Sequence, residues 1–194
     1  MDILLASNNA HKVRELTSIF APDRVITPRE IGLDFSFEET GDTFFANAYG
    51  KAEALWRLCG GDYVVVADDS GICVDALGGD PGVYSARFGG DVGADSDEAR
   101  TALLLERMTG KTARGAHYVC CMVAVLGPDR FLCAQETWHG EIAHQRSTGT
   151  GGFGYDPIFL LPDRGCTVAD ITDDEKHTLS HRGKAARTLR SLLG

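Results

Sequence analysis

Two adjacent carboxylates, Asp68 and Asp69, follow the run Tyr63-Val64-Val65-Val66-Ala67. Valines in series read as a buried strand, and Ser70-Gly71 reads as the turn that ends it. Strand ends in α/β proteins open onto ligand crevices. Adjacent acids repel each other there, and folding gains little from them. A metal ion or a proton relay relieves the repulsion. The pair therefore points to a hard-cation site doing phosphate chemistry.

Other segments carry groups suited to an anion. Ser7-Asn8-Asn9-Ala10-His11-Lys12 joins a first strand to a first helix. Backbone N–H groups and the helix dipole gather at such a start and favour phosphate. Lys12 in the first turn opposes the dipole, and Glu15, one turn on, can hold its side chain. An ordinary asparagine cap with a solvated Lys12–Glu15 pair accounts for the same residues. Glu38-Glu39-Thr40-Gly41 precedes a second helix, on which Asn47 and Lys51 lie four apart and share a face. Acids at a helix start and an exposed lysine also occur without any site. Gly78 to Arg87 is too glycine-rich for a regular element, and reads either as backbone approaching a ligand or as a surface loop.

Gly149 to Gly154 contains the pattern G-x-G-x-x-G. A dinucleotide fingerprint needs a helix next, but Pro157 and the apolar run Ile158 to Leu161 follow, so that reading fails. What remains is a loop carrying Phe153 and Tyr155, rings that can stack on a purine. Gly110-Lys111-Thr112 imitates the end of a P-loop, but Leu105 stands where its first glycine belongs. His177 and His181 are four apart but lack the further ligands of a zinc site. Ser180-His181-Arg182-Gly183-Lys184 opens the last helix and, with Lys176, brings cations to its start. A basic surface helix has the same composition.

These groups need a scaffold. The pattern predicts a strand over Asp2 to Ala6, helices over Asn9 to Phe20 and Asp42 to Cys59, and a strand over Tyr63 to Ala67. A third helix over Ser96 to Met108 precedes a hairpin of Ala116 to Leu126 and Phe131 to Thr137. Trp138 to Ala143 reads as a further strand. Thr172 and Glu175 have capping-box spacing before a short helix, and Ser180 can cap the last helix, which reaches Leu193. The class is α/β, with a mixed sheet flanked by helices.

Composition narrows the function. The 194 residues suffice for one sizeable core. A net charge of −9 argues against a general nucleic-acid binder, and requires basic groups to converge wherever an anion binds. No apolar run approaches the roughly 18 residues of a membrane span. Met1 to Ser7 lacks the basic start and the length of a secretory signal, so the cytoplasm is expected. The six cysteines form no C-x-x-C pair. Cys120 and Cys121 point to opposite faces of a strand, which suits reduced, buried thiols.

Together the blocks Ser7 to Glu15, Glu38 to Lys51, Ala67 to Arg87, Gly149 to Pro157 and Lys176 to Lys184 resemble the inosine triphosphate pyrophosphatase family, also described as dITP/XTP pyrophosphatases. Their order and spacing span nearly the whole chain. One departure is Asn8, where the family usually has glycine; Asn tolerates left-handed backbone angles better than most residues. The resemblance implies one nucleoside-triphosphate pyrophosphatase domain over residues 1–194, with two lobes and a central cleft. It implies Mg2+, a homodimer, and hydrolysis of the deaminated purine nucleotides ITP, dITP and XTP to the monophosphate plus pyrophosphate. By position, Asp69 becomes the general base and a metal ligand, and Glu38 the other metal ligand. Ser7, Asn8, Asn9, Ala10, His11 and Lys12 become the triphosphate loop. Lys51, Ser70, Phe153, Gly154, Tyr155, Asp156, Lys176, His181 and Arg182 become the rest of the nucleotide site. Lys12, Lys51, Lys176 and Arg182 are expected to neutralise the charge that Mg2+ leaves on the triphosphate, and His181 or Arg182 to read the oxygen at C6. Asp68 is assigned support. Two rival readings are a pyrophosphatase for modified pyrimidine nucleotides and a nucleotide sensor without turnover; three carboxylates argue against the sensor.

Overall fold

The computed structural model describes residues 1–194. Its strands are β1 (Asp2–Leu5), β2 (Arg24–Ile26), β3 (Val64–Val74), β4 (Gly115–Gly127), β5 (Arg130–Ile142), β6 (Phe159–Leu161) and β7 (Cys166–Thr167), and the helices are α1 (Ala10–Phe20), α2 (Phe44–Leu58), α3 (Asp97–Arg107), α4 (Asp173–Leu179) and α5 (His181–Leu193). The sheet order is β2-β1-β3-β4-β5-β6-β7. β1 pairs in parallel with β2 and β3, whereas β6 pairs antiparallel with β5 and β7. The sheet is thus mixed and helix-flanked, as the sequence predicts. No helix is long and apolar enough to cross a membrane.

The chain divides into two compact units. The first comprises Met1–Asp69, Cys120–Glu136 and His181–Gly194; the second comprises Ser70–Val119 and Thr137–Ser180. In the first, strand alternation sorts side chains to two faces. Ile3, Leu5, Val66, Cys120 and Met122 pack with Leu16 and Phe20 of α1 and Ala185, Ala186 and Leu189 of α5. Leu4, Val65, Ala67, Cys121 and Val123 pack with Ala48, Ala52 and Leu55 of α2. Both faces are covered, which is why the strands read as continuous apolar runs. The second unit has its own core, where Ile72, Val74, Leu104, Met108, Trp138 and Phe159 meet.

Three expected boundaries move. The strand predicted to stop at Ala67 continues to Val74, so the acidic pair lies inside β3 and not at its end. Gly71 permits this: a Cβ there would meet the Gly82 carbonyl oxygen at 2.2 Å and Ser85 Oγ at 2.6 Å. The predicted strand Trp138 to Ala143 is the continuation of β5. Within Gly78 to Arg87, the residues Gly82–Arg87 form a 3-10 helix, ordered by Ser85, whose Oγ accepts from Ile72 N–H and donates to the Gly82 carbonyl.

Candidate active site

In the first unit, the parity of β3 separates the two aspartates. Asp68 follows Val66 onto the α1/α5 face, and Asp69 follows Ala67 onto the α2 face. Both are buried, at 1% and 4% exposure.

Asp68 joins the two ends of the chain. Its Oδ2 lies 3.0 Å from Lys12 Nζ and 3.3 Å from Arg182 Nε. Arg182 Nη1 in turn donates to Glu15 Oε2 at 2.6 Å. Burial alone would raise the Asp68 pKa, but the charges of Lys12, Arg182 and Lys51 outweigh it and hold the carboxyl well below the ordinary aspartate value. Burial likewise works against the Arg182 cation, and Asp68 and Glu15 reverse the effect. The expected Lys12–Glu15 pair is therefore replaced: Lys12 reaches Asp68, and Glu15 serves Arg182. A buried ion pair with good geometry prevails over a local pairing on the helix surface, which is worth only about 0.2–0.5 kcal/mol.

Asp69 is held from α2, where Asn47 Nδ2 donates to its Oδ2 at 3.0 Å. Asn47 and Lys51 lie on the buried face of α2 with Ala48, Ala52 and Leu55. Lys51 donates to the Asp68 carbonyl at 2.8 Å and pairs closely with Glu39. Lys51 is thus buried and partnered. Burial pushes the Asp69 pKa up; Lys51 and the Asn47 hydrogen bond resist, Glu39 adds to the rise, and the net value lies above the ordinary one. Such a carboxylate is a stronger base than a solvated aspartate, the property asked of a general base.

The turn before α1 is exposed. Asn9 Oδ1 accepts from the N–H groups of His11 and Lys12, so two first-turn donors already have a partner. Asn8 Nδ2 donates to the Phe35 carbonyl at 2.8 Å. The left-handed angles considered for Asn8 are not used, because Asp129 is the one non-glycine residue with positive φ. Glu38 is exposed beside the half-buried Glu39.

Around this cluster three cations (Lys12, Lys51 and Arg182) face four carboxylates (Asp68, Asp69, Glu15 and Glu39). The excess of positive charge expected of the lysines and arginine is therefore absent, since each cation has an acidic partner. Asp69 and Glu38 carry hard carboxylate oxygens, the donor type of a divalent cation and not of zinc or copper; no group of three or more His, Cys, Asp or Glu side chains is gathered as a metal site, and Mg2+ characteristically binds through one or two carboxylates together with substrate phosphates.

The second unit collects the remaining predicted residues apart from His181, which is buried at the start of α5 in the first unit. Asp156 is its buried hub: Oδ2 accepts from Lys176 Nζ and from Phe153 N–H at 2.9 and 2.8 Å, and Oδ1 from Tyr118 OH at 3.1 Å. Lys176 also lies 4.6 Å from the Phe153 ring centroid. Gly152 allows this fold of the loop, since its φ is +70° and a Cβ would meet Asp156 Oδ2 at 2.1 Å. Gly154 N–H donates to Asp97 at 2.8 Å. Asp156 thus holds Lys176 and the Phe153 loop in place. Tyr155 departs from the stacking role: its ring is in the core and its OH donates to the Ser85 carbonyl at 2.8 Å. Of the two rings expected to stack, Phe153 is half-buried and outside the core. Ser70, half-buried, opens the part of β3 in this unit.

Sequence reasoning did not assign Glu39, Tyr118 or the clamp role of Asp68. A residue directly after Glu38 gave no signal of its own, and Tyr118 pairs with a residue 38 positions away.

Comparison with known proteins places these residues in context. The Ham1 family profile matches residues 3–192. A protein of Treponema pallidum (strain Nichols) named dITP/XTP pyrophosphatase is 48% identical over 193 residues, covering 100% of this chain and 71% of its own length. A Treponema denticola protein of the same name is 45% identical over 186 residues, covering 95% and 94%. Among solved structures, the Staphylococcus aureus Ham1 protein superposes with a TM-score of 0.86 at 41% identity, covering 100% of this chain and 98% of its own. A HAM1 protein from Coxiella burnetii gives 0.88 at 34% identity, with the same coverage.

Proposed function

Because this chain belongs to the Ham1 family, we propose that it is a nucleoside-triphosphate pyrophosphatase acting on the deaminated purine nucleotides dITP, XTP and ITP in the cytoplasm. The observation that carries the proposal is identity of 45–48% along nearly the whole chain to relatives named for that activity. In this proposal the residues divide the work. Ser7 to Lys12, at the start of α1, take the triphosphate, with Lys12 held ready by Asp68. Phe153 and Lys176 take the base and sugar, and His181 reads the oxygen at C6. Arg182 gives Nε to Asp68 and Nη1 to Glu15, so its main task is to stiffen the cluster.

In the reaction, water attacks the α-phosphorus while the bond to the α–β bridging oxygen breaks, and pyrophosphate leaves. Asp69 takes the proton of the water. Asn47 fixes the carboxylate orientation by holding Oδ2. The remaining work is positioning and neutralising charge. Asp69 and Glu38 would hold Mg2+, which when bound supplies positive charge to the phosphates. We include in the proposal the homodimer that the family resemblance implies.

The test joins product identity to cation dependence. With dITP and Mg2+, the products are deoxyinosine monophosphate and pyrophosphate; chelation by EDTA abolishes turnover and added Mg2+ restores it. Release of orthophosphate alone, or full turnover in EDTA, contradicts the proposal.

A further inference from the structure

Two thiols outside the proposed chemistry face each other on neighbouring strands. Cys121 Sγ on β4 lies 3.6 Å from Cys133 Sγ on β5. Cys121 is buried among the α2-facing core residues, whereas Cys133 is exposed. Cys120 and Cys121 are both buried, as their strand positions predict. Cys133 sits on the solvent side of a strand whose next residue, Ala134, is in the core. Cys120, adjacent in sequence to Cys121, points to the opposite face, with its Sγ 4.0 Å from Asp68 Oδ2. The pairing is therefore selective: one accessible sulfur with one buried sulfur behind it.

A separation of 3.6 Å is van der Waals contact. A disulfide needs about 2.05 Å, so the sulfurs must approach by about 1.5 Å, which is within the reach of side-chain rotation and a small strand adjustment. We infer that Cys133 and Cys121 form a dithiol site that is oxidised to an intrachain disulfide by low-molecular-weight disulfides of the glutathione type. The inference does not depend on the proposed nucleotide chemistry.

The steps balance as ordinary thiol–disulfide exchange. Cys133 loses its proton to solvent, and its thiolate attacks one sulfur of the donor disulfide. The donor S–S bond breaks, a mixed disulfide forms on Cys133, and one donor thiolate leaves and takes up a proton. Cys121 then loses its proton and attacks the Cys133 sulfur, expelling the second donor thiol. Two protein thiols are oxidised, and one donor disulfide is reduced to two thiols. The order follows from access: only Cys133 meets the oxidant. It also follows from acidity, because burial and the neighbouring Cys133 push the Cys121 thiol up to about 12, so it seldom supplies the first thiolate.

The experiment exposes the full-length reduced chain to oxidised glutathione, then alkylates it under denaturing conditions and weighs it. Four cysteines are expected to take the label in place of six. Trypsin is expected to release Gly115–Arg130 joined to Phe131–Arg146. Cys133→Ser abolishes the bond. Cys121→Ser halts the reaction at a glutathione adduct on Cys133, and Cys120→Ser leaves the bond intact. Thermal melts confirm that each variant is folded. Six alkylatable cysteines after treatment overturn the inference. So does a bond involving Cys120 or another cysteine, or a link between two chains.

Discussion

Asp69→Asn is expected to lower turnover by a factor on the order of 10²–10⁴ without weakening the fold. The substitution removes the proton acceptor but keeps the shape, and the new side-chain oxygen can still accept from Asn47 Nδ2. The raised pKa sets the sign of the stability change. A carboxyl that holds its proton to higher pH in the folded chain than in the unfolded one makes ionisation unfavourable to folding. Its stability contribution is best at low pH and falls as pH rises from the unfolded pKa through the folded one. Asn removes that penalty, so the melting temperature at neutral pH stays level or rises. Near-normal turnover in a folded variant would refute the role given to Asp69.

Asp68→Asn is expected to act in the opposite direction on stability. The change leaves Lys12 and Arg182 at a buried position without the carboxylate between them. Breaking one side of a buried ion pair costs about 3–5 kcal/mol. For a chain of this size that is a fall in melting temperature of roughly 6–20 °C. Here the pKa in the folded state is depressed. The stabilisation is present above the unfolded aspartate pKa and is lost as pH falls toward the folded one, so the gap between wild type and variant narrows in acid. Turnover also falls, because Lys12 loses its anchor. Thermal melts of the two variants, made one residue apart, separate the roles: equal losses of stability would contradict the division of labour drawn from strand parity.

That division is largely legible in the sequence. An extended backbone sends Asp68 and Asp69 to opposite faces, whatever lies on those faces. The sequence does not show what they meet. Lys12 and Arg182 converge on Asp68 from positions 56 and 114 residues away, and no local rule selects those partners over Glu15. The carboxylates that neutralise the expected basic cluster were hidden for the same reason: Glu39 and Glu15 read as ordinary surface acids. Tyr155 misled because an aromatic ring in a glycine-rich loop looks accessible, whereas its packing depends on Ser85, 70 residues back. The sequence pattern divides β5 between Thr137 and Trp138, whereas the strand runs unbroken from Arg130 to Ile142; Gly140 lies within it, where a Cβ would meet the Leu160 carbonyl oxygen at 2.6 Å, so glycine marks the close approach of β6.

The central claim is selectivity for deaminated purines, and comparison of kcat/KM across dITP, XTP, ITP, GTP, ATP and dUTP tests it most directly. The values for dITP, XTP and ITP are expected to exceed those for GTP, ATP and dUTP by roughly 10²-fold or more, since mismatched polar groups at C6 or C2 leave buried partners unsatisfied. Comparable values for GTP and dITP, preference for dUTP, or binding without turnover of any nucleotide would contradict it.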